Sequence, residues 1–175
     1  HLSAGDVVCL TGNLGAGKTT FTRGVGEALQ VRGAVTSPTF VVARTHPTAS
    51  GIPLIHVDAY RLSDAAELDD LDLDLDRSIT IVEWGEGMVD TLVDEWLHIV
   101  IDRSSDAAED ERTVTVTGCS PMLRSPLRFG NSACLANTAL RYRSPRITMF
   151  SATGVDPSSN DSFQNPSVRQ LLAIW

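Results

Sequence analysis

Short apolar runs of strand length recur along the first two thirds of the chain. They predict six strands, at residues 7–11, 39–44, 53–58, 79–83, 97–102 and 112–117. Apolar residues at helical spacing from Phe21 to Leu29 predict a helix over 19–30, directly after the first strand. Ser63 stands where it could cap a second helix, with Asp64 in the first turn. Strands interleaved with helices favour an α/β fold with a mostly parallel sheet.

The character of the chain changes near Gly118. The first 118 residues carry 8 basic and 20 acidic side chains, a net charge of −12, whereas residues 119–175 carry 6 and 2, a net charge of +4. The second segment has nine serines and five prolines, no lysine or glutamate, and little apolar periodicity. We therefore expect one domain at 1–118 and a tail at 119–175 that is disordered or not native to the domain.

Composition argues against some classes of protein. No run approaches the ~18 to 20 apolar residues of a membrane span. Cys9, Cys119 and Cys134 are an odd set without the spacing of a metal site, which favours reduced thiols and a cytoplasmic location. An acidic body is a poor surface for nucleic acid, so we expect a partner protein to carry any RNA.

The strongest chemical signal is the run Gly-Asn-Leu-Gly-Ala-Gly-Lys-Thr-Thr at residues 12–20, which fits the P-loop pattern G-x-x-x-x-G-K-[ST]. Its glycines allow backbone N–H groups to point at phosphate oxygens, and the following helix adds a positive N-terminal end. Lys18 would reach the β- and γ-phosphates of ATP, and the Thr19 hydroxyl would ligate Mg²⁺. The predicted ATP-binding residues are Gly12, Asn13, Leu14, Gly15, Ala16, Gly17, Lys18, Thr19 and Thr20.

Two acids end predicted strands, where ligands bind in open α/β sheets. Asp58 follows one apolar run and Glu83 follows another, and either carboxylate could face a magnesium ion on the P-loop. The hydroxyl-bearing segment 36–40 precedes the second strand, where P-loop switch proteins often sense the γ-phosphate, although Ser-Pro-Thr is also common in turns.

A calcium loop beginning at Asp72 is the weaker interpretation of the acidic run 69–76. Position 6 of such a loop requires glycine, and the chain has Arg77 there. We therefore interpret the run as a solvated acidic face. His56 has no companion at metal-ligand spacing, so we expect it to be a structural hydrogen-bonding residue.

Taken in order, four motifs closely resemble the bacterial TsaE (YjeE) family, the ATPase of tRNA threonylcarbamoyladenosine biosynthesis. They are the P-loop, Ser-Pro-Thr-Phe at 37–40, His-Val-Asp-Ala-Tyr-Arg-Leu at 56–62, and Val-Glu-Trp at 82–84. The resemblance covers residues 3–118. Relative to the family, we expect about 30 residues of the front of the domain to be missing, and with them part of the contact to the base.

The resemblance implies a three-layer P-loop ATPase that supports threonylcarbamoylation of adenosine 37 in ANN-decoding tRNAs. It implies ATP and Mg²⁺ as cofactors, TsaD and TsaB as partners, and tRNA only as an indirect one. Lys18, Asp58 and Glu83 would then be catalytic, with Thr19 and Glu83 on Mg²⁺ and Asp58 beside the γ-phosphate. Residues 37–40 would be switch-like, and Trp84 would lie beside the site.

Two other functions stay open. A small P-loop kinase would need an acceptor pocket and an arginine-rich lid, for which Arg141, Arg143 and Arg146 are superficial candidates. An inactive, truncated nucleotide-binding module would bind ATP without turnover.

Overall fold

The computed structural model describes residues 2–103, 111–119, 138–143 and 146–150. Eight strands of the described backbone form one sheet: β1 Val7–Thr11, β2 Ala43–His46, β3 Leu54–Asp58, β4 Ile79–Glu83, β5 Trp96–Asp102, β6 Glu111–Cys119, β7 Thr138–Arg143 and β8 Arg146–Phe150. The helices are α1 Lys18–Ala28 and α2 Ala65–Asp69, with 3₁₀ turns at Ala59–Arg61, Leu75–Arg77 and Val89–Thr91.

The sheet has the order β2-β3-β4-β1-β5-β6-β7-β8. Four neighbouring strands of the sheet, β3, β4, β1 and β5, run parallel to one another. In contrast, β2 and the strands beyond β5 pair antiparallel with their neighbours. The predicted α/β class is confirmed, and the parallel part of the sheet consists of these four strands. Since the carboxyl ends of parallel strands meet at one edge, the loops after β1, β3 and β4 share that edge.

Apolar residues lie on both faces of the parallel strands, which gives the fold three layers. On one face, Phe21 and Val25 of α1 pack against residues such as Leu10, Leu54 and Ile81. On the other face, Leu68 of α2 and Val89 pack with residues such as Cys9, Val57 and Val82. Strands buried on both faces read as continuous apolar runs, which is why β1, β3 and β4 could be recognised from the sequence.

Two local predictions were wrong. The strand predicted at 39–44 begins only at Ala43, because the backbone N–H groups of Val41 and Val42 both donate to the carbonyl oxygen of Pro38 and fold residues 38–42 into a turn. The cap of α2 is Asp64 rather than Ser63, since the Asp64 carboxylate accepts from the N–H groups of Ala66 and Glu67.

Only part of the predicted tail lies within the described residues. β7 pairs with β6, and β8 pairs with β7, so two pieces of 119–175 extend the sheet on the side of β5. The boundary at residue 118 and the nature of the tail stay predictions, and Cys134 lies outside the described residues. Among the helices that the structure describes, none is long and apolar enough to cross a membrane.

Candidate phosphate-binding site

A cavity of about 250 Å³ opens where the loops after β1, β3 and β4 meet. Its lining combines the P-loop, the hydroxyl segment and both strand-end acids: Leu14, Gly15, Gly17, Lys18, Thr19, Thr20, Ser37, Thr39, Asp58, Glu83 and Trp84. The volume is below the ~300 to 1,000 Å³ of pockets that enclose whole small-molecule ligands. It therefore suits the phosphate and metal end of a nucleotide.

The loop between β1 and α1 has a backbone that requires glycine at two points. Gly17 caps α1 in the left-handed region, at φ +113°. A Cβ on Gly12, whose φ is +150°, would collide with the carbonyl oxygen of Ile101 on β5. Gly12, Asn13 and Ala16 do not line the cavity but build the loop beneath it, where the Ala16 N–H donates to the Asn13 carbonyl over 3.0 Å.

The Lys18 side chain is folded over the loop and is nearly fully buried. Its Nζ donates to the carbonyl oxygens of Gly12 and Asn13, at 2.6 and 3.1 Å, and lies 3.6 Å from the ring centroid of Trp84. Burial lowers the pKa of the Lys18 ammonium, while the carboxylates of Glu83 and Asp58 oppose that shift. A buried cation held by neutral carbonyls is well placed to bind an anion that enters the cavity.

Thr19 and Glu83 are brought together across the cavity floor. The Thr19 hydroxyl donates to Glu83 Oε2 over 3.1 Å, and the other carboxylate oxygen, Oε1, lies 2.7 Å from Nε2 of His56. A hydroxyl and a carboxylate are the hard oxygen ligands that Mg²⁺ prefers, with phosphate and water completing its coordination. Among the described residues there is no group of three or more His, Cys, Asp or Glu side chains that could hold a metal ion.

Asp58 lies beside Glu83 in the register of β3 and β4 and holds the segment before β2. Its Oδ2 accepts from the hydroxyls of Ser37, over 3.2 Å, and of Thr39, and its Oδ1 accepts from the Tyr60 N–H over 3.1 Å. The same segment contains Val42 at φ +67°, a conformation that strains a β-branched residue. The carboxylate and the hydroxyl segment thus form one unit at the mouth of the cavity.

Trp84 follows Glu83 and also has a left-handed backbone, at φ +64°. This turn directs its ring over Lys18 and against the ring of Tyr60, whose centroid lies 5.1 Å away. Nothing in the residue pattern indicates such a turn, so the contact between Trp84 and Lys18 was not predicted. The pairing of His56 with Glu83 was foreseen only as an unspecified hydrogen bond, since the partner depends on the strand register.

Large apolar side chains lie exposed around this mouth. Leu14 and Phe40 are 90% and 91% exposed, and Val41 and Tyr60 are more than half exposed. Leu14 belongs to the P-loop and lines the cavity, Phe40 and Val41 follow the lining residue Thr39, and Tyr60 lies in the turn after the lining residue Asp58.

Comparison with known proteins identifies the chain's relatives. The family model described as threonylcarbamoyl adenosine biosynthesis protein TsaE matches residues 1–114. The tRNA threonylcarbamoyladenosine biosynthesis protein TsaE of Streptomyces coelicolor is 61% identical over 122 residues, 67% of this chain and 82% of that protein. Its counterpart in Bacillus subtilis is 42% identical over 118 residues, 65% of this chain and 70% of that protein. A crystal structure of Bacillus subtilis YdiB matches with a TM-score of 0.49 and 34% identity, covering 67% of this chain and 70% of that one. The chain therefore belongs to the TsaE family of tRNA threonylcarbamoyladenosine biosynthesis.

Proposed function

We propose that this protein binds and slowly hydrolyses ATP with Mg²⁺, and that its nucleotide state governs how it engages the TsaD and TsaB subunits that threonylcarbamoylate tRNA. The observation that carries the proposal is the shared cavity, in which the P-loop, the hydroxyl segment and two strand-end carboxylates meet. The phosphate end of a nucleotide placed there would touch all three parts.

Charge within the cavity supports a requirement for a divalent cation. Of the described residues that line the cavity, Lys18 is the one basic side chain, while Asp58 and Glu83 are both acidic. A polyphosphate entering alone would meet a net negative lining. Thr19 and Glu83 would hold Mg²⁺, which would supply the missing positive charge and act on the phosphates as a Lewis acid.

The hydrogen bonds of Asp58 support a link from the nucleotide to the surface. The Ser37 and Thr39 hydroxyls donate to Asp58, and Phe40 and Val41 follow them in the chain. A γ-phosphate beside Asp58 would compete for the same hydroxyls and so move the exposed apolar residues. Coupling of this kind turns a phosphate contact into a change of docking surface.

Contact with tRNA is proposed to be indirect. The first 118 residues carry a net charge of −12, which opposes the phosphate backbone of RNA. The exposed apolar side chains around the cavity are instead typical of a protein-binding face, since contiguous apolar patches mark interaction sites. The output of the protein would thus be a protein–protein event, in the cytoplasm with the tRNA-modifying complex.

A kinase receives little support from the sheet order. β7 lies three strands from β1, and neighbouring strands are about 4.8 Å apart, which puts Arg141 and Arg143 about 14 Å from the P-loop strand. Arg146 begins the next strand out. Among the residues that the structure describes, no arginine lines the cavity. Arg112, whose Nε donates to the Ala16 carbonyl oxygen of the P-loop over 3.3 Å, and Arg61, whose Nη1 lies 3.5 Å from the Thr39 carbonyl oxygen, are candidates for stabilising the transition state.

The test is ATP turnover by the complete gene product, alone and with TsaD and TsaB. We expect slow, Mg²⁺-dependent phosphate release that rises when the partners are added. Transfer of the γ-phosphoryl group to a metabolite would instead support a kinase. Tight Mg²⁺·ATP binding without turnover in the presence of both partners would support an inactive nucleotide-binding module.

A further inference from the structure

His56 lies inside the sheet directly beneath the candidate magnesium side of the cavity. It is central in β3, is completely buried, and shares a face with Glu83, because Asp58 and Glu83 are register partners and side chains alternate along each strand. Its neighbours on that face, Leu54 and Ile81, belong to the apolar core under α1. A polar ring at such a position needs a physical reason.

The different surroundings of the two ring nitrogens supply one. Nε2 lies 2.7 Å from Glu83 Oε1, whereas Nδ1 is buried and has no hydrogen-bond partner in the described residues. The neutral tautomer with its proton on Nε2 fits both facts, because it donates to the carboxylate and leaves no unpaired N–H at Nδ1.

The bond fixes which oxygen of Glu83 faces the cavity. With Oε1 held from below by His56, Oε2 is directed to the Thr19 hydroxyl. A carboxylate held at one oxygen cannot rotate freely, so its other oxygen is preorganised for a cation. Partners of this kind behind a metal ligand typically change metal affinity by about 10- to 100-fold when removed.

We propose that His56 is a positioning residue for the magnesium carboxylate: it orients Glu83 so that Oε2, together with the Thr19 hydroxyl, presents a preformed pair of oxygen ligands. This rests on the proposed function and goes beyond it, since the residue touches neither nucleotide nor metal. A core residue that merely fills space would be replaced by leucine without loss of metal coupling. A positioning residue would not.

The test compares ATP affinity in Mg²⁺ with ATP affinity in EDTA, by calorimetry on the complete protein. The dissociation constant of ATP in EDTA, divided by that in Mg²⁺, measures the coupling between nucleotide and metal. We expect His56→Leu to lower this ratio by about 10- to 100-fold. The dissociation constant in EDTA should stay within about threefold of wild type. His56→Gln, whose amide N–H occupies the place of Nε2–H, should restore most of the ratio. Binding of Mn²⁺ to the ATP complex, followed by electron paramagnetic resonance, should weaken in parallel.

His46→Leu is the matched control, because His46 is also a buried histidine with an unpaired ring nitrogen and lies opposite Leu54 on β2. It should leave the ratio unchanged. In a double mutant with Glu83→Gln, His56→Leu should have little further effect on the ratio, which tests the link even if the single variant is less stable.

An unchanged ratio in folded His56→Leu, equal losses in Mg²⁺ and EDTA, or no recovery in His56→Gln would each overturn the proposal. These outcomes differ from failure of the proposed function. If wild-type protein binds ATP no better with Mg²⁺ than with EDTA, the magnesium site itself is refuted, and the role of His56 with it.

Discussion

Replacing Lys18 with methionine tests the phosphate site most simply. Methionine keeps an unbranched stem and removes the ammonium group, with its charge and its N–H donors, from its place over the Trp84 ring. On binding, Lys18 would exchange two bonds to the neutral carbonyls of Gly12 and Asn13 for bonds to phosphate oxygens. Its net contribution should therefore resemble one charge-assisted hydrogen bond, about 1.5–3 kcal/mol, or about 10- to 100-fold in Kd.

Stability should respond differently from affinity. Burial disfavours the charged form of Lys18, as its lowered pKa indicates, so removing the charge offsets the loss of the two carbonyl bonds. We expect the free energy of unfolding to stay within about 1 kcal/mol of wild type. Calorimetry with Mg²⁺·ATP gives the affinity, and urea unfolding gives the stability.

Arg23→Met is the matched control, since Arg23 is an exposed cation on the same helix and does not line the cavity. Its Nε donates to the Val35 carbonyl oxygen over 3.4 Å. It changes the net charge equally. If Lys18→Met weakens ATP binding no more than Arg23→Met does, the assignment of Lys18 to the phosphates is refuted.

Three further predictions test other parts of the account. Glu83→Gln should weaken Mg²⁺-dependent ATP binding and hydrolysis but leave binding in EDTA unchanged or tighter, because a carboxylate facing the phosphates is lost; equal losses in both would indicate damaged folding. Val42→Gly should lower the free energy of unfolding in urea no more than Val41→Gly does, although Val42 is the more buried of the two. The reason is that glycine relieves about 1–2 kcal/mol of left-handed backbone strain at residue 42. A clearly larger loss in Val42→Gly would contradict this strain. The Cys9 thiol, whose pKa burial raises to about 11, should resist iodoacetamide at pH 8 in the native protein and react once it is unfolded, as peptide mass spectrometry would detect; rapid native labelling would contradict its burial.

The parallel strands and the P-loop were predictable because each is specified locally. β1, β3 and β4 are short, mostly apolar runs, and the helix after the P-loop has a clear apolar stripe. The two acids could be placed at strand ends for the same reason. Their meeting in one cavity followed from the rule that carboxyl ends of parallel strands share an edge.

Other features depend on long-range contacts or on backbone strain and could not be predicted in this way. The apolar Phe40-Val41-Val42 has the composition of a strand, yet Pro38 begins a turn there and Val42 adopts a positive φ. Such a conformation is unfavourable locally and persists only where its surroundings hold it, here through the backbone bonds of the Val42 N–H to the Pro38 carbonyl and of the Asp58 N–H to the Val42 carbonyl. The partner of His56 likewise follows from the register of β3 against β4.

The central claim, that the phosphate site drives tRNA modification, is tested most directly in cells depleted of their own TsaE. The protein is expressed there from its complete gene, as wild type and as Lys18→Met and Asp58→Ala variants, at matched levels. Threonylcarbamoyladenosine in bulk tRNA is then measured by mass spectrometry. The account predicts recovery by the wild type and by neither variant. Recovery by both variants to the wild-type level, or none from a folded, ATP-binding wild type, would contradict it.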